Sequence, residues 1–219
     1  MTERGLTLPD TIALFPLRDA TLFPRARLPL NIFEPRYLAM TDHALGHGRI
    51  IGMIRPRYDD DVNPPLYSIG CAGKIVAFSE TGDGRYLIEL AGLSRFRLLT
   101  EGLSDGNFRL GEVDWSPYTS DLAEPQEDLD AEREPLLSRL SAYLDSVGLS
   151  ADWDTIEGAS METIVSSVAM SCPFEADEMQ ALLEAPSLPE RINTLSTLME
   201  IATAEAIESD GQDTLSRMQ

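Results

Sequence analysis

Two histidines four residues apart, two distant cysteines, a single lysine and a run of three aspartates are the residues here with the plainest chemical options. His43 and His47 would share one face of a helix with Asp42, the spacing that metal ligands use. Gly46 and Gly48 interrupt that helix, and Cys71 has no paired partner, so both histidines read as ordinary surface residues. Cys172, before Pro173, is a nucleophile only if a histidine and a cation lie close by. Its neighbours Met170 and Phe174 suggest a buried structural thiol instead. Asp59-Asp60-Asp61 lacks the glycine and spaced ligands of a calcium loop and reads as solvated. Lys74 ends Gly70-Cys71-Ala72-Gly73-Lys74 but is followed by Ile75, the wrong spacing and the wrong next residue for a phosphate-binding loop. A Ser–Lys dyad would have to use that same lysine, inside an apparent strand. A hydrolase built from Cys71 or Cys172 with His43 rests on residue type alone. The sequence therefore predicts no catalytic residue, no cofactor and no metal.

Charge divides the chain more sharply. Of 219 residues, 17 are basic and 37 acidic, a net charge of −20. Residues 1–110 hold 13 of each sign, whereas the remainder holds 4 basic and 24 acidic side chains. Such asymmetry marks two structural units. The negative field disfavours nucleic acids and anionic lipid, and the acidic half would favour basic clients. RNA binding is the alternative reading, through a local patch of Arg18, Arg25, Arg27, Arg36, Arg55 and Arg57, but no interleaved aromatic platform accompanies it. No apolar run approaches the roughly 20 residues that span a bilayer. Met1-Thr2-Glu3-Arg4-Gly5 does not resemble a signal peptide, so the expected compartment is the cytoplasm, with no membrane partner.

The elements that must position these residues change type near the middle. Ile12–Leu17 and Leu28–Phe33 read as short strands, each carrying a proline suited to an edge or a strand end. Glu34-Pro35 opens a helix to about Leu45. Ile50–Ile54 is a strand. Lys74–Phe78 and Tyr86–Leu90 alternate around Thr81-Gly82-Asp83-Gly84, a strong hairpin signal. Arg95–Leu99 and Phe108–Trp115 add strands, so residues 8–116 predict an antiparallel sheet or small barrel with one helix. Residues 117–126 read as a linker. Helical periods then follow at Leu136–Val147, Met161–Val168, Phe174–Leu183 and Leu188–Ala206, the last opened by a Ser187/Glu190 capping box. The fold class is α+β, with a β-rich unit followed by a helical bundle over 127–207 and a polar, fraying tail over 208–219.

Phe15-Pro16-Leu17-Arg18-Asp19, Leu22-Phe23-Pro24 and Pro29-Leu30-Asn31-Ile32-Phe33-Glu34-Pro35-Arg36-Tyr37 resemble the N-terminal substrate-binding domain of Lon proteases. The likeness continues through Ile69-Gly70, Asp83-Gly84-Arg85-Tyr86 and Gly92-Leu93-Ser94-Arg95-Phe96-Arg97, and through Leu182-Leu183-Glu184, Arg191 and Leu195. It covers about Leu8 to Ile207 and includes no motif of the family's ATPase or peptidase domains, as in a free-standing form of the domain. The resemblance implies a PUA-like β subdomain beside a helical bundle, and a role in recognising protein substrates. Phe15, Pro16, Phe23, Pro24, Phe33, Glu34, Pro35, Gly84 and Gly92 are expected to specify that fold.

Within Phe33-Glu34-Pro35-Arg36-Tyr37, Arg36 and Tyr37 could bind a peptide carboxylate or backbone, with Arg95 and Phe96 as further candidates. In the structural alternative, Phe33 and Tyr37 enter the core while Glu34 and Arg36 fix the entry to the helix through hydrogen bonds and pairing across to Arg95 or Arg97. The sequence thus predicts a non-catalytic module that binds exposed polypeptide segments or one dedicated protein partner. The expected surface is a groove between sheet and bundle or an exposed strand edge.

Overall fold

The computed structural model describes residues 8–58, 63–123 and 129–216, the side chains of 130 and 207–216 excepted. Asp59-Asp60-Asp61 lies outside the described residues. The chain divides into two units, Met1–Glu124 and Pro125–Gln219.

The first unit contains β1 (Thr11–Pro16), β2 (Arg27–Ile32), α1 (Pro35–Gly46), β3 (Ile50–Ile54), β4 (Ile69–Glu80), β5 (Tyr86–Leu103) and β6 (Arg109–Asp114). The strand order is β2-β5-β4-β3-β1-β6, and β6 pairs back onto β5, so five strands close a ring with β2 added outside it. β5 makes this possible. Its first half pairs with β2 and its second half with β6, while β4 runs along its other side. The two segments expected at 86–90 and 95–99 are thus one strand of 18 residues. Register shifts at Ala72/Gly73, Ile75/Ala77 and Leu98/Thr100 accompany its change of neighbours, the usual means by which a strand bends around a small barrel.

Of the two places open to Pro16, the structure shows a strand end and not an edge, because β3 and β6 flank β1. Pro16 is its last residue, beyond the last pairing with β6, so the missing N–H breaks no bond to that strand. The β1–β3 pair is also parallel rather than antiparallel. The long connection through β2 and α1 supplies the crossover that parallel pairing needs. Pro29 does mark an edge, since β2 pairs with β5 alone.

α1 begins with Pro35 at its first turn and buries Tyr37, Met40, Thr41 and Ala44, one face of a 3.6-residue repeat. Inside the barrel, Ile12, Leu14, Ile50, Ile54, Leu66, Ala72 and Val113 surround Phe96. Gly84 closes the β4–β5 turn at φ +80°, a conformation that L side chains rarely adopt.

Ser116–Leu122, read as the start of a linker, forms a 3₁₀ stretch belonging to the first unit, with Tyr118 and Asp121 buried. The helical unit contains α2 (Asp130–Val147), α3 (Trp153–Glu157), α4 (Met161–Ser171), α5 (Ala176–Glu184) and α6 (Leu188–Ser216). α3 was not expected. Pro135 lies inside α2, and α6 continues to Ser216 through most of the expected tail. Leu136, Leu140, Tyr143, Ile164, Val165, Leu182, Leu195 and Met199 are buried within this unit.

Its arginines among the described residues are committed to structure. Arg133 donates to the carbonyls of Ile156, Glu157 and Ala159 at the end of α3. Arg191 donates to the Leu182 carbonyl, and Arg139 pairs with Glu200.

Candidate functional site

The Phe33–Tyr37 segment joins β2 to α1. Phe33 is 61% exposed rather than in the core, with the Arg85 guanidinium 5.9 Å from its ring centroid. Glu34 pairs with Arg36 at 2.8 Å, not with Arg95 or Arg97. Tyr37 is buried against Phe15, with ring centroids 4.4 Å apart. Its hydroxyl donates to the Pro16 carbonyl at 3.4 Å, and burial raises its pKa. Phe15, Pro16 and Tyr37 thus form one packing unit.

Beside that unit lies a cavity of about 380 Å³ lined by Pro16, Arg36, Tyr37, Leu103, Phe108 and Arg109, with Asn107 also reaching it. Arg109, on β6, is buried and donates to Glu101 at 2.9 Å. Sequence reading did not single it out, because nothing local distinguishes it from other strand arginines.

Arg95 and Phe96 do not join Arg36 and Tyr37. Phe96 is wholly inside the barrel, and Arg95 is 2% exposed. Arg95 makes a two-pronged ion pair with Asp121, Nε and Nη2 each donating at 2.8 Å, and its guanidinium lies over the Tyr118 ring. Neither residue can meet a client. The six arginines of the RNA alternative each have an internal acceptor. Arg18 donates to Tyr58, Arg25 to Asp121 and Ala123, and Arg57 to Leu66, all at carbonyls. Arg27 pairs with Glu89, Arg36 with Glu34, and Arg55 donates to the Thr21 hydroxyl.

A second surface lies at the β4–β5 turn. β3 pairs with β4 only as far as Lys74, so beyond Ile75 the β4 backbone has no strand partner on the side away from β5. Val76, Phe78 and Leu87 there are 43%, 41% and 48% exposed. Phe78 meets Tyr86 edge-on at 5.0 Å. Phe78 is registered with Ile88 and Leu87 with Ser79, so exposed apolar side chains stand on both faces of the hairpin beside an open backbone edge. The sequence did carry a signal, since the hairpin places apolar residues on both faces and only one face of a sheet can enter the core.

His43 and His47 stack, with centroids 4.1 Å apart, and no group of three possible metal ligands occurs among the described residues. Burial, then His47, lowers the His43 pKa. Cys71 is fully buried in β4. Cys172 is half-buried at the end of α4, on a largely apolar cavity of about 370 Å³ between α2, α3 and α4. Burial raises the Cys172 pKa, although its hydrogen bond with Tyr143 opposes the shift. The Tyr143 pKa is pushed up to about 12, chiefly by burial. Because only the thiolate reacts, alkylation of Cys172 should lag behind a free thiol at pH 8 and catch up only at higher pH. Mass spectrometry of an iodoacetamide time course checks this; a rate matching or exceeding free cysteine at pH 8 contradicts it.

The family model of the ATP-dependent protease La (LON) substrate-binding domain matches residues 11–200. The chain belongs to this family. Curated Lon relatives are bacterial. One, Lon protease 2 of Sorangium cellulosum, is 34% identical over 93 residues, 41% of this chain and 12% of its own length. Lon protease 1 of Herpetosiphon aurantiacus is 22% identical over 99% of this chain and 28% of its own. The chain thus spans a minor part of the Lon proteases it matches. Two solved structures share the fold. The Lon N-terminal domain protein from Xanthomonas campestris aligns at TM-score 0.61 and 24% identity, over 84% of this chain and 96% of that one. The N-terminal domain of Mycobacterium avium complex Lon protease aligns at TM-score 0.64 and 16% identity, over 89% and 98%. No helix among the described residues is long and apolar enough to cross a membrane.

Proposed function

We propose that this chain is a non-catalytic polypeptide-binding module that holds exposed apolar segments at the tip of the β4–β5 hairpin. The observation that carries the reading is the pairing of an open β4 edge beyond Ile75 with the exposed side chains of Val76, Phe78 and Leu87. An extended segment can add to such an edge through main-chain hydrogen bonds while its alternate side chains meet the exposed apolar residues on the two faces of the hairpin. The other open edge, β2, is less suited, because Pro29 cannot donate along it. Membership of a substrate-binding domain family supports a polypeptide as the ligand.

The test replaces Val76 and Phe78 with serine together and follows binding of a labelled, permanently unfolded protein by fluorescence anisotropy. Removing two half-exposed apolar contacts is expected to weaken binding by about tenfold or more. Unchanged affinity, with the fold intact by circular dichroism, would reject the hairpin tip as the site. RNA binding finds no comparable support, since the net charge of −20 repels phosphates.

A further inference from the structure

At the cavity beside α1, a buried guanidinium has donors to spare. Arg109 is 8% exposed, lines the cavity and donates through Nη1 to Glu101, its one carboxylate partner among the described residues. A guanidinium carries five N–H donors, and those of Arg109 that Glu101 does not take are open to the cavity. Arg36 lines the same cavity, held by Glu34 at 2.8 Å. Pro16, Leu103, Phe108 and the Tyr37 ring supply the apolar walls, and Asn63 and Asn107 the remaining polar ones.

We propose that this cavity takes the free C-terminal carboxylate of a polypeptide together with its last, apolar side chain. The charge count favours a monoanion. Two guanidiniums are already balanced by two carboxylates, Glu34 and Glu101, so every added negative charge is uncompensated and a phosphate dianion is disfavoured more than a monoanion. A carboxylate, by contrast, matches the fork of an arginine. The apolar walls suit a branched or aromatic terminal residue, and about 380 Å³ lies at the small end of ligand pockets. Asn107, exposed at the cavity and held at φ +59° in the β5–β6 turn, offers a carboxamide to the preceding peptide unit. The inference rests on the polypeptide-binding reading for the kind of ligand, but it uses a different surface from the hairpin tip.

The experiment compares N-terminally labelled heptapeptides ending in leucine, one as the free acid and one as the C-terminal amide, by anisotropy with the full chain. The acid is expected to bind about tenfold or more tightly, the worth of a charge-assisted pair. Arg36→Gln, at an exposed position, should reduce that ratio, and Arg109→Gln should abolish it. Equal affinity of acid and amide, or no binding of either, overturns the proposal, whether or not any variant folds. N-acetyl-leucine is the competitor that separates the sources. Displacement at the affinity of the peptide itself would mark a small-acid site and reject a chain terminus. The hairpin reading is scored separately with the unfolded protein carrying a blocked C-terminus. Loss of its binding in Val76→Ser/Phe78→Ser, with the acid–amide ratio kept, separates the two surfaces.

Discussion

Asp121→Ala is expected to destabilise the first unit by about 3–5 kcal/mol, the usual cost of leaving one member of a buried ion pair behind. Arg95 and Asp121 side chains are 2% and 8% exposed, so water cannot compensate the orphaned guanidinium. The loss extends beyond the charge, because one Asp121 oxygen also accepts the Arg95 main-chain N–H at 2.9 Å. Denaturant unfolding in a Trp153→Phe background would report the effect through Trp115, whose ring packs edge-on against Phe96. A second variant separates charge from packing. Arg95→Met combined with Asp121→Leu removes both charges while filling similar volume, and it should recover most of the loss. A loss below about 1 kcal/mol in Asp121→Ala would mean that solvent reaches Arg95 and that the pair is not sealed.

Asp121 also shows where sequence reading stops. Pro117 and Pro125 flank a short polar stretch, which locally has the composition of a linker. Nothing within it indicates that one aspartate will pair with an arginine 26 residues earlier. Arg95 was visible as part of a family motif, but motif membership did not distinguish a ligand-binding arginine from a buried one. The hairpin, α1 and the bundle helices were legible because their signals are local: alternation, caps and 3.6-residue repeats. The parallel β1–β3 pair and the unbroken β5 depend on contacts between distant segments, which periodicity does not encode. α3 is a single short turn between polar residues, too brief to show a period.

The two candidate surfaces divide along the same line. Val76, Phe78 and Leu87 were readable as an excess of apolar residues on a two-sided hairpin. The cavity beside α1 was half visible. Arg36 and Tyr37 belong to a contiguous motif, whereas Leu103, Phe108 and Arg109 arrive from the β5–β6 corner. Ring closure brings that corner beside α1: β6 pairs with both β1 and β5, and Phe108 lies 5.2 Å from the His43 ring.

The second large effect is expected at Gly92, whose φ is not positive, so conformational preference is not the reason. The Phe23–Ala26 segment crosses it as an extra strand would: Arg25 N–H donates to the Gly92 carbonyl and Gly92 N–H to Ala26, both at 2.9 Å. A Cβ on residue 92 would fall 1.9 Å from the Phe23 carbonyl oxygen and 2.9 Å from its carbonyl carbon. Backbone, unlike a side-chain tip, cannot rotate away. Gly92→Ala should therefore cost about 3 kcal/mol or more, well above the 0.4–1 kcal/mol that alanine gains by restricting the unfolded chain. Gly73, its cross-strand partner, provides the control. A Cβ there meets the Leu22 Cδ2 atom at 2.7 Å, a side-chain end that can shift, and the Leu90 Cβ at 3.0 Å. It meets no backbone atom as close as at Gly92, so Gly73→Ala should cost clearly less. The Leu22-Phe23-Pro24 motif and Gly92 are then one structural device, a buried segment seated where no side chain fits. Equal costs at the two glycines, measured by the same unfolding experiment, would assign the motif to side-chain packing alone.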